Sequence, residues 1–249
     1  MMDPLQVEID TRRRLFCAAL FGATALPLTA CAQMKGSAPV RVGVIGSGRI
    51  GGTVGGLWVK AGHPVMFSSR HPEELTPLIT SLGDLAKAGT VADAIAFSDV
   101  LFLAVPYKAL PELSHDYAGK FAGKVVLDAT NAFAERDGAV GEEAIRNGIG
   151  VTTARYLQGA RVVRAFNSMG ATIFARENHR QGSLIAIPIA GDDQAALATA
   201  AQLVKDAGFE PVVVGPLSTA PRFAPGGPLF RQIGNADEFR RAMSQHQSQ

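Results

Sequence analysis

The sequence predicts an α/β fold: a doubly wound, mostly parallel sheet with helices on both faces. Three observations carry this. Short, mostly apolar runs recur, as at 40–45, 99–105 and 124–127, and strands buried on both faces read this way. They alternate with stretches of helical composition, the order that builds a parallel sheet. The first run leads directly into a glycine turn, Gly46-Ser47-Gly48-Arg49-Ile50-Gly51, and then into a helix. At 249 residues and 47% apolar content the chain can bury a full core, as one domain with at most a small appendage. A formal net charge of +2 leaves no electrostatic footprint for nucleic acid.

The elements follow in order. Residues 40–45 form strand one, and the helix opens at 52–60. Ala61-Gly62-His63-Pro64 ends that helix, and Val65-Met66-Phe67-Ser68 is strand two. A helix lies within 71–88, with Pro72 near its start and Glu73 and Glu74 in its first turn. Residues 89–91 read as strand three and 92–96 as a short helix. Two buried strands follow: 99–106, ending in Pro106, and 124–128, leading into Ala129-Thr130-Asn131. A helix near 151–157 precedes the strand 161–166. Strands at 183–190 and 210–214 flank a helix at 193–207. The polar tail 235–249 reads as a short helix that frays.

The N-terminus stands apart from this domain. Arg12-Arg13-Arg14 precede a mostly apolar run, 15–26, that closes on Leu28-Thr29-Ala30-Cys31. The run is too short and interrupted for an ordinary spanning helix, and its layout is that of a signal peptide. It resembles a twin-arginine signal with a lipoprotein box. Residues 1–31 are therefore expected to direct export, with Cys31 as a lipidated membrane anchor and 32–39 as a linker. Cleavage at the Ala30-Cys31-Ala32 stretch, leaving a soluble periplasmic protein, is the competing expectation. Cys17 and Cys31 are the only cysteines, so the body has no thiol pair for a disulfide or a cysteine metal site.

The glycine turn points to the chemistry. Strand, Gly-x-Gly-x-x-Gly and helix in that order are the context of a dinucleotide fingerprint. Gly46 permits the tight turn, Gly48 lets a pyrophosphate approach the backbone, and Gly51 lets the helix pack close. Ser47, Arg49 and Ile50 complete the turn. The helix start offers free N–H groups and a positive dipole end. The end of strand two selects the dinucleotide. An NAD-selective site places Asp or Glu there; this chain has Ser68-Ser69-Arg70. Hydroxyls and a guanidinium suit a 2′-phosphate that a carboxylate would repel, so NADP(H) is the expected cofactor. His71 could lean on the same phosphate.

Ligands on such sheets sit beyond the carboxyl ends of the strands. That gathers the glycine turn, Ser68 to Arg70, Val105-Pro106-Tyr107, Thr130-Asn131 and Asn167-Ser168-Met169 around one cleft. Val105 and Pro106 would pack against the cofactor, and Thr130, Asn131 and Asn167 would lie near the nicotinamide. No catalytic acid–base pair is evident. Tyr107 and Lys108 are the nearest approach to one, and no metal site is expected.

The order of these motifs resembles the NADP oxidoreductase family that includes the coenzyme F-420 (deazaflavin)-dependent NADP reductases. The NADPH domain of the STEAP metalloreductases is similar too. The matching pieces are Val42 through Gly51, Ser68-Ser69-Arg70, Leu103-Ala104-Val105-Pro106, Asp128-Ala129-Thr130-Asn131, Val163-Arg164-Ala165-Phe166-Asn167-Ser168 and Ala190-Gly191-Asp192-Asp193. Asp206-Ala207-Gly208-Phe209-Glu210-Pro211 through Leu217 completes the set, so the resemblance spans 40–217. It implies hydride transfer from NADPH directly to a flavin or deazaflavin ring as small-molecule acceptor. That ring would lie near 167–169 and the Gly215-Pro216-Leu217 loop, with 218–249 closing the acceptor side. Homodimers are common in similar proteins. The chain departs from the family in its leader and in the proline-rich stretch after Leu217. Two other classes stay open: an imine or 2-hydroxy-acid dehydrogenase related to pyrroline-5-carboxylate reductase, and a non-catalytic NADP-binding sensor or scaffold.

Overall fold

The computed structural model describes residues 38–246. The expected leader, all of the linker except its last two residues, and 247–249 lie outside the described residues. The sheet strands are β1 (Val42–Ile45), β2 (Val65–Ser68), β3 (Ala86–Gly89), β4 (Val100–Leu103), β5 (Val125–Asp128), β6 (Arg161–Arg164), β7 (Ala186–Gly191) and β8 (Glu210–Gly215). The helices are α1 (Arg49–Lys60), α2 (Thr76–Leu82), α3 (Val91–Phe97), α4 (Leu110–Asp116), α5 (Ala134–Asn147), α6 (Ile149–Tyr156), α7 (Ala171–Glu177), α8 (Gln194–Asp206) and α9 (Ala236–Gln245). Short 3₁₀ turns lie at Pro72–Leu75, Tyr107–Ala109 and Leu217–Phe223.

The strands run in the order β3-β2-β1-β4-β5-β6-β7-β8. The first six are parallel, β7 is antiparallel to β6, and β8 is parallel to β7. The expected Rossmann-type, mostly parallel sheet is therefore present. Its strand order reverses between β1 and β4, where sheets of this kind open a crevice.

Alternation along β4 shows why both faces are covered. Val100 and Phe102 join one apolar cluster, and Leu101 and Leu103 join the other, because successive side chains point to opposite faces. In the first cluster Trp58, Phe102, Phe166, Phe174 and Phe209 pack edge to face, with ring centroids 5.0–6.4 Å apart. The Trp58 indole donates to the Leu203 carbonyl at 2.7 Å and so ties α1 to α8.

Several expectations need correcting. Strand three is 86–89, not 89–91, because Thr90 caps α3 in a capping box with Asp93. Helices α4, α5 and α7 were not read from the sequence; α5 is polar overall and bends at Gly138, with φ +56°. Because β7 and β8 run against the other strands, Gly215 lies level with Ala190 and Arg164. The loop at Pro216 and Leu217 then leads away from Asn167, not beside it as expected. The chain after it does return: the Phe223 carbonyl accepts from Asn167, and the Arg231 N–H donates to the Ser168 carbonyl.

Candidate functional site

Gly46 has φ +94°, and a Cβ there would sit 2.6 Å from the Ala104 carbonyl oxygen and from Val105 Cγ1. Only glycine permits this crossing of β1 and β4. A Cβ on Gly51 would run into the Gly46 carbonyl, so the helix packs directly on the turn. Gly48 differs: a Cβ there would meet nothing within 4 Å. It is the N-cap of α1, which has no side-chain cap and no acidic residue in its first turn. The first-turn N–H groups have no intrahelical partners, and the turn beside them is open at Gly48. An anionic group fits there.

The end of β2 divides into structural and free groups. The Ser68 hydroxyl is buried and donates to the Val44 carbonyl at 2.8 Å. Its expected role as a phosphate ligand is corrected: it pins β2 to β1. The Ser47 hydroxyl donates to the Ser68 carbonyl at 3.0 Å, holding the glycine turn against β2. The Ser69 hydroxyl accepts from the His71 N–H at 3.0 Å. His71 is exposed, with Nδ1 3.5 Å from Glu73. Arg70 is exposed and makes no ion pair or side-chain hydrogen bond among the described residues. Arg49 reaches the Thr172 hydroxyl on α7 at 3.3 Å.

Beyond β4, Val105 is half-buried and Pro106 exposed, as a wall for a ligand requires. Tyr107 is a second correction. Its side chain is fully buried, and its hydroxyl lies 3.4 Å from the Ile149 carbonyl and 3.3 Å from the Thr153 hydroxyl. Burial pushes the phenol well above its ordinary value, so it stays protonated and serves α6, not the cleft. Lys108 is exposed, and its N–H donates to Asp137 at 3.3 Å. Burial raises the Asp137 carboxyl, but Arg136 and the N–H groups of Phe133 and Lys108 outweigh that and hold it below the usual range.

The ends of β5 and β6 are joined by a buried polar network that the sequence reading missed. Arg164 and Asp128 are both fully buried and pair at 2.6 Å. Arg164 also donates to the Thr130 carbonyl at 2.6 Å and to its hydroxyl at 3.3 Å. The Thr130 side chain is therefore turned inward to Arg164, a third correction. The signal was present: an arginine flanked by Val162, Val163, Ala165 and Phe166 needs a buried partner, and Asp128 ends the neighbouring strand. Asn131 is half-buried, and its amide donates to the Asn167 carbonyl at 2.7 Å. The Asn167 amide donates to Asn131 Oδ1 at 3.3 Å and to the Phe223 carbonyl at 3.0 Å. Asn167 is itself buried, so Asn131 is the more accessible of the two.

At Ala132, the residue after Asn131, opens a groove of about 290 Å³. Ala132, Ile145, Ile149, Pro221, Ala224 and Gly226 are among its walls, and no charged residue lines it. Among the described residues no group of three or more His, Cys, Asp or Glu could hold a metal. No described helix is long and apolar enough to cross a membrane.

Comparison with known proteins agrees with this geometry. Residues 41–132 match the family described as NADP oxidoreductase, coenzyme F420-dependent. The chain is 29% identical over 199 residues to metalloreductase STEAP3 of Rattus norvegicus, covering 76% of this chain but only 36% of that protein. A hypothetical protein of Sinorhizobium meliloti has a similar structure, with TM-score 0.70 and 27% identity over 81% of this chain and 97% of that one. A putative F420-dependent NADP-reductase from an Arthrobacter species shares the fold, with TM-score 0.58 and 22% identity over 73% and 87% of the two chains. The resemblance read from the motifs thus holds over residues 41–132, which match the NADP oxidoreductase, coenzyme F420-dependent family and carry the glycine turn and the ends of β2, β4 and β5.

Proposed function

We propose that this chain is an NADPH-dependent reductase that passes hydride directly to a flat flavin- or deazaflavin-type ring. One observation carries the cofactor choice. Arg70 stands unpaired among the described residues just past the end of β2, where no carboxylate ends the strand. The first turn of α1 would take the pyrophosphate, and Arg70 with Ser69 the 2′-phosphate. Val105 and Pro106 would wall the dinucleotide, and Asn131 would meet its nicotinamide end. The bound nicotinamide supplies the hydride.

The acceptor reading rests on the groove at Ala132 and on Tyr107. Uncharged walls suit a flat ring. Transfer between two rings needs proximity and alignment more than a proton donor, whereas reduction of an imine or 2-oxo acid needs a general acid. Tyr107, the phenol nearest the cleft in sequence, is buried and held protonated. That favours the ring acceptor over the dehydrogenase alternative.

The test is fluorescence titration of the full chain with NADPH and NADH. NADPH binds more tightly, and Arg70→Ala weakens NADPH by about 10- to 100-fold, the loss of one charge-assisted contact, while NADH is unchanged. Equal binding of both nucleotides would reject the NADP assignment. NADPH oxidation is then followed with FMN, FAD, a deazaflavin and a cyclic imine. Turnover with the imine alone would reject the ring acceptor, and turnover with none would leave a binding protein.

We also propose export by the twin-arginine route and anchoring through Cys31, on the leader sequence alone. Palmitate labelling that Cys31→Ala abolishes is the expected result. Labelling of neither protein would reject the anchor.

A further inference from the structure

The buried pair Arg164–Asp128 follows apolar stretches of its two strands: Val125 to Leu127 on β5, and Val162 and Val163 on β6. A buried ion pair is seldom more stabilising than two apolar side chains of the same volume. Here it also leaves Arg164 Nε without a partner. Stability alone does not account for it.

What the pair does accomplish is geometric. Asp128 Oδ1 accepts the Thr130 N–H at 2.9 Å, and Oδ2 accepts Arg164 at 2.6 Å. Arg164 in turn holds the Thr130 carbonyl and hydroxyl. The loop leaving β5 is therefore fixed from behind at successive polar atoms. The next residue is Asn131. Its amide orientation is set by the Asn167 carbonyl, an obligate acceptor, and that of Asn167 by the Phe223 carbonyl. Its own carbonyl accepts from Arg136 at 2.6 Å. So Arg164 grips the buried side of this loop, while Asn131, half-buried, is its more accessible residue.

We propose that Arg164 is a positioning residue: through Asp128 and Thr130 it sets the loop that presents Asn131 to the nicotinamide half of the cofactor. Arg164 is fully buried and touches no ligand itself. This rests on the dinucleotide reading above.

The experiment separates the two halves of the cofactor by titrating the full chain with 2′,5′-ADP, which carries only the adenosine side, and with NADPH. The double substitution Asp128→Leu with Arg164→Met removes both charges at similar volume. It leaves 2′,5′-ADP binding within about twofold and weakens NADPH about tenfold, the scale of one lost hydrogen bond. Thr130→Val keeps the ion pair, so it folds even if the double variant does not. It shifts the NADPH to 2′,5′-ADP ratio the same way by about threefold, as one weak hydrogen bond would. Equal weakening of both ligands would mean a merely structural role, and an unchanged ratio in both variants would likewise overturn the proposal. If the unsubstituted chain binds 2′,5′-ADP but NADPH no more tightly, the nicotinamide half is not engaged and the positioning role falls while the phosphate site stands. If it binds neither, the dinucleotide reading itself falls.

Discussion

At Gly46 and Gly48 the same missing Cβ serves two ends, and substitution separates them. Gly46→Ala places a side chain at φ +94° and 2.6 Å from Ala104 O. The left-handed conformation alone costs about 1–2 kcal/mol, and the clash adds to it, so the melting temperature falls. Gly48→Ala meets no protein atom within 4 Å. Its melting temperature stays near that of the parent, but the methyl group intrudes where a pyrophosphate would lie. NADPH affinity falls about tenfold, equivalent to about 1.4 kcal/mol. Unchanged affinity in Gly48→Ala would show that the phosphate does not approach that turn. The glycine spacing was legible from sequence because backbone geometry is local. The inward turn of Ser68, Tyr107 and Thr130 was not, because a strand-end side chain can face the cleft or the core, and only its neighbours decide which.

At the scale of elements, α8 and β6 are joined by one carboxylate. Asp193 caps α8 through the Ala196 N–H at 2.8 Å and receives a two-point contact from Arg161 at 2.9 and 2.6 Å. The Arg161 hydrogen bonds, then the Ala196 N–H, hold the carboxyl at about 2, below its ordinary 3.8. A carboxyl depressed in the folded state stabilises above the unfolded value, and that contribution is lost as pH falls through the folded one. Asp193→Asn keeps the cap but loses the charge. Its melting temperature is therefore lower than the parent's at pH 6, and the two converge between about pH 4 and pH 2. A gap that persists unchanged at pH 2 would rule out the charge as its source. The strongly apolar strands and helix α8 were readable from sequence. Helices α4 and α7 are only seven residues each, too short to establish a period, and α5 is polar overall with a glycine bend.

The aromatic cluster links elements across the described domain. Phe166 contacts Trp58 of α1, Phe102 of β4, Phe174 of α7 and Phe209 ahead of β8. It is fully buried and holds φ +58°, unusual for a residue with a side chain. Phe166→Ala removes the shared ring and costs about 3–5 kcal/mol, read as a lower urea midpoint in a single transition. Separate transitions for the two ends of the sheet would show that the ring does not couple them. Because Asn167 follows directly, the same variant also loosens the Asn131–Asn167 contact.

The sequence by itself determined the parallel α/β order, the glycine turn and the absence of a carboxylate after β2. Each is a matter of composition or spacing within a few residues, where backbone sterics and hydropathy act alone. Tertiary structure decided the rest. The reversal of β7 and β8 carries the Gly215 loop away from the cleft and returns Phe223 and Arg231 to it. The pairing of Arg164 with Asp128 joins residues 36 apart in the chain, because a buried charge finds its partner across strands and not along them.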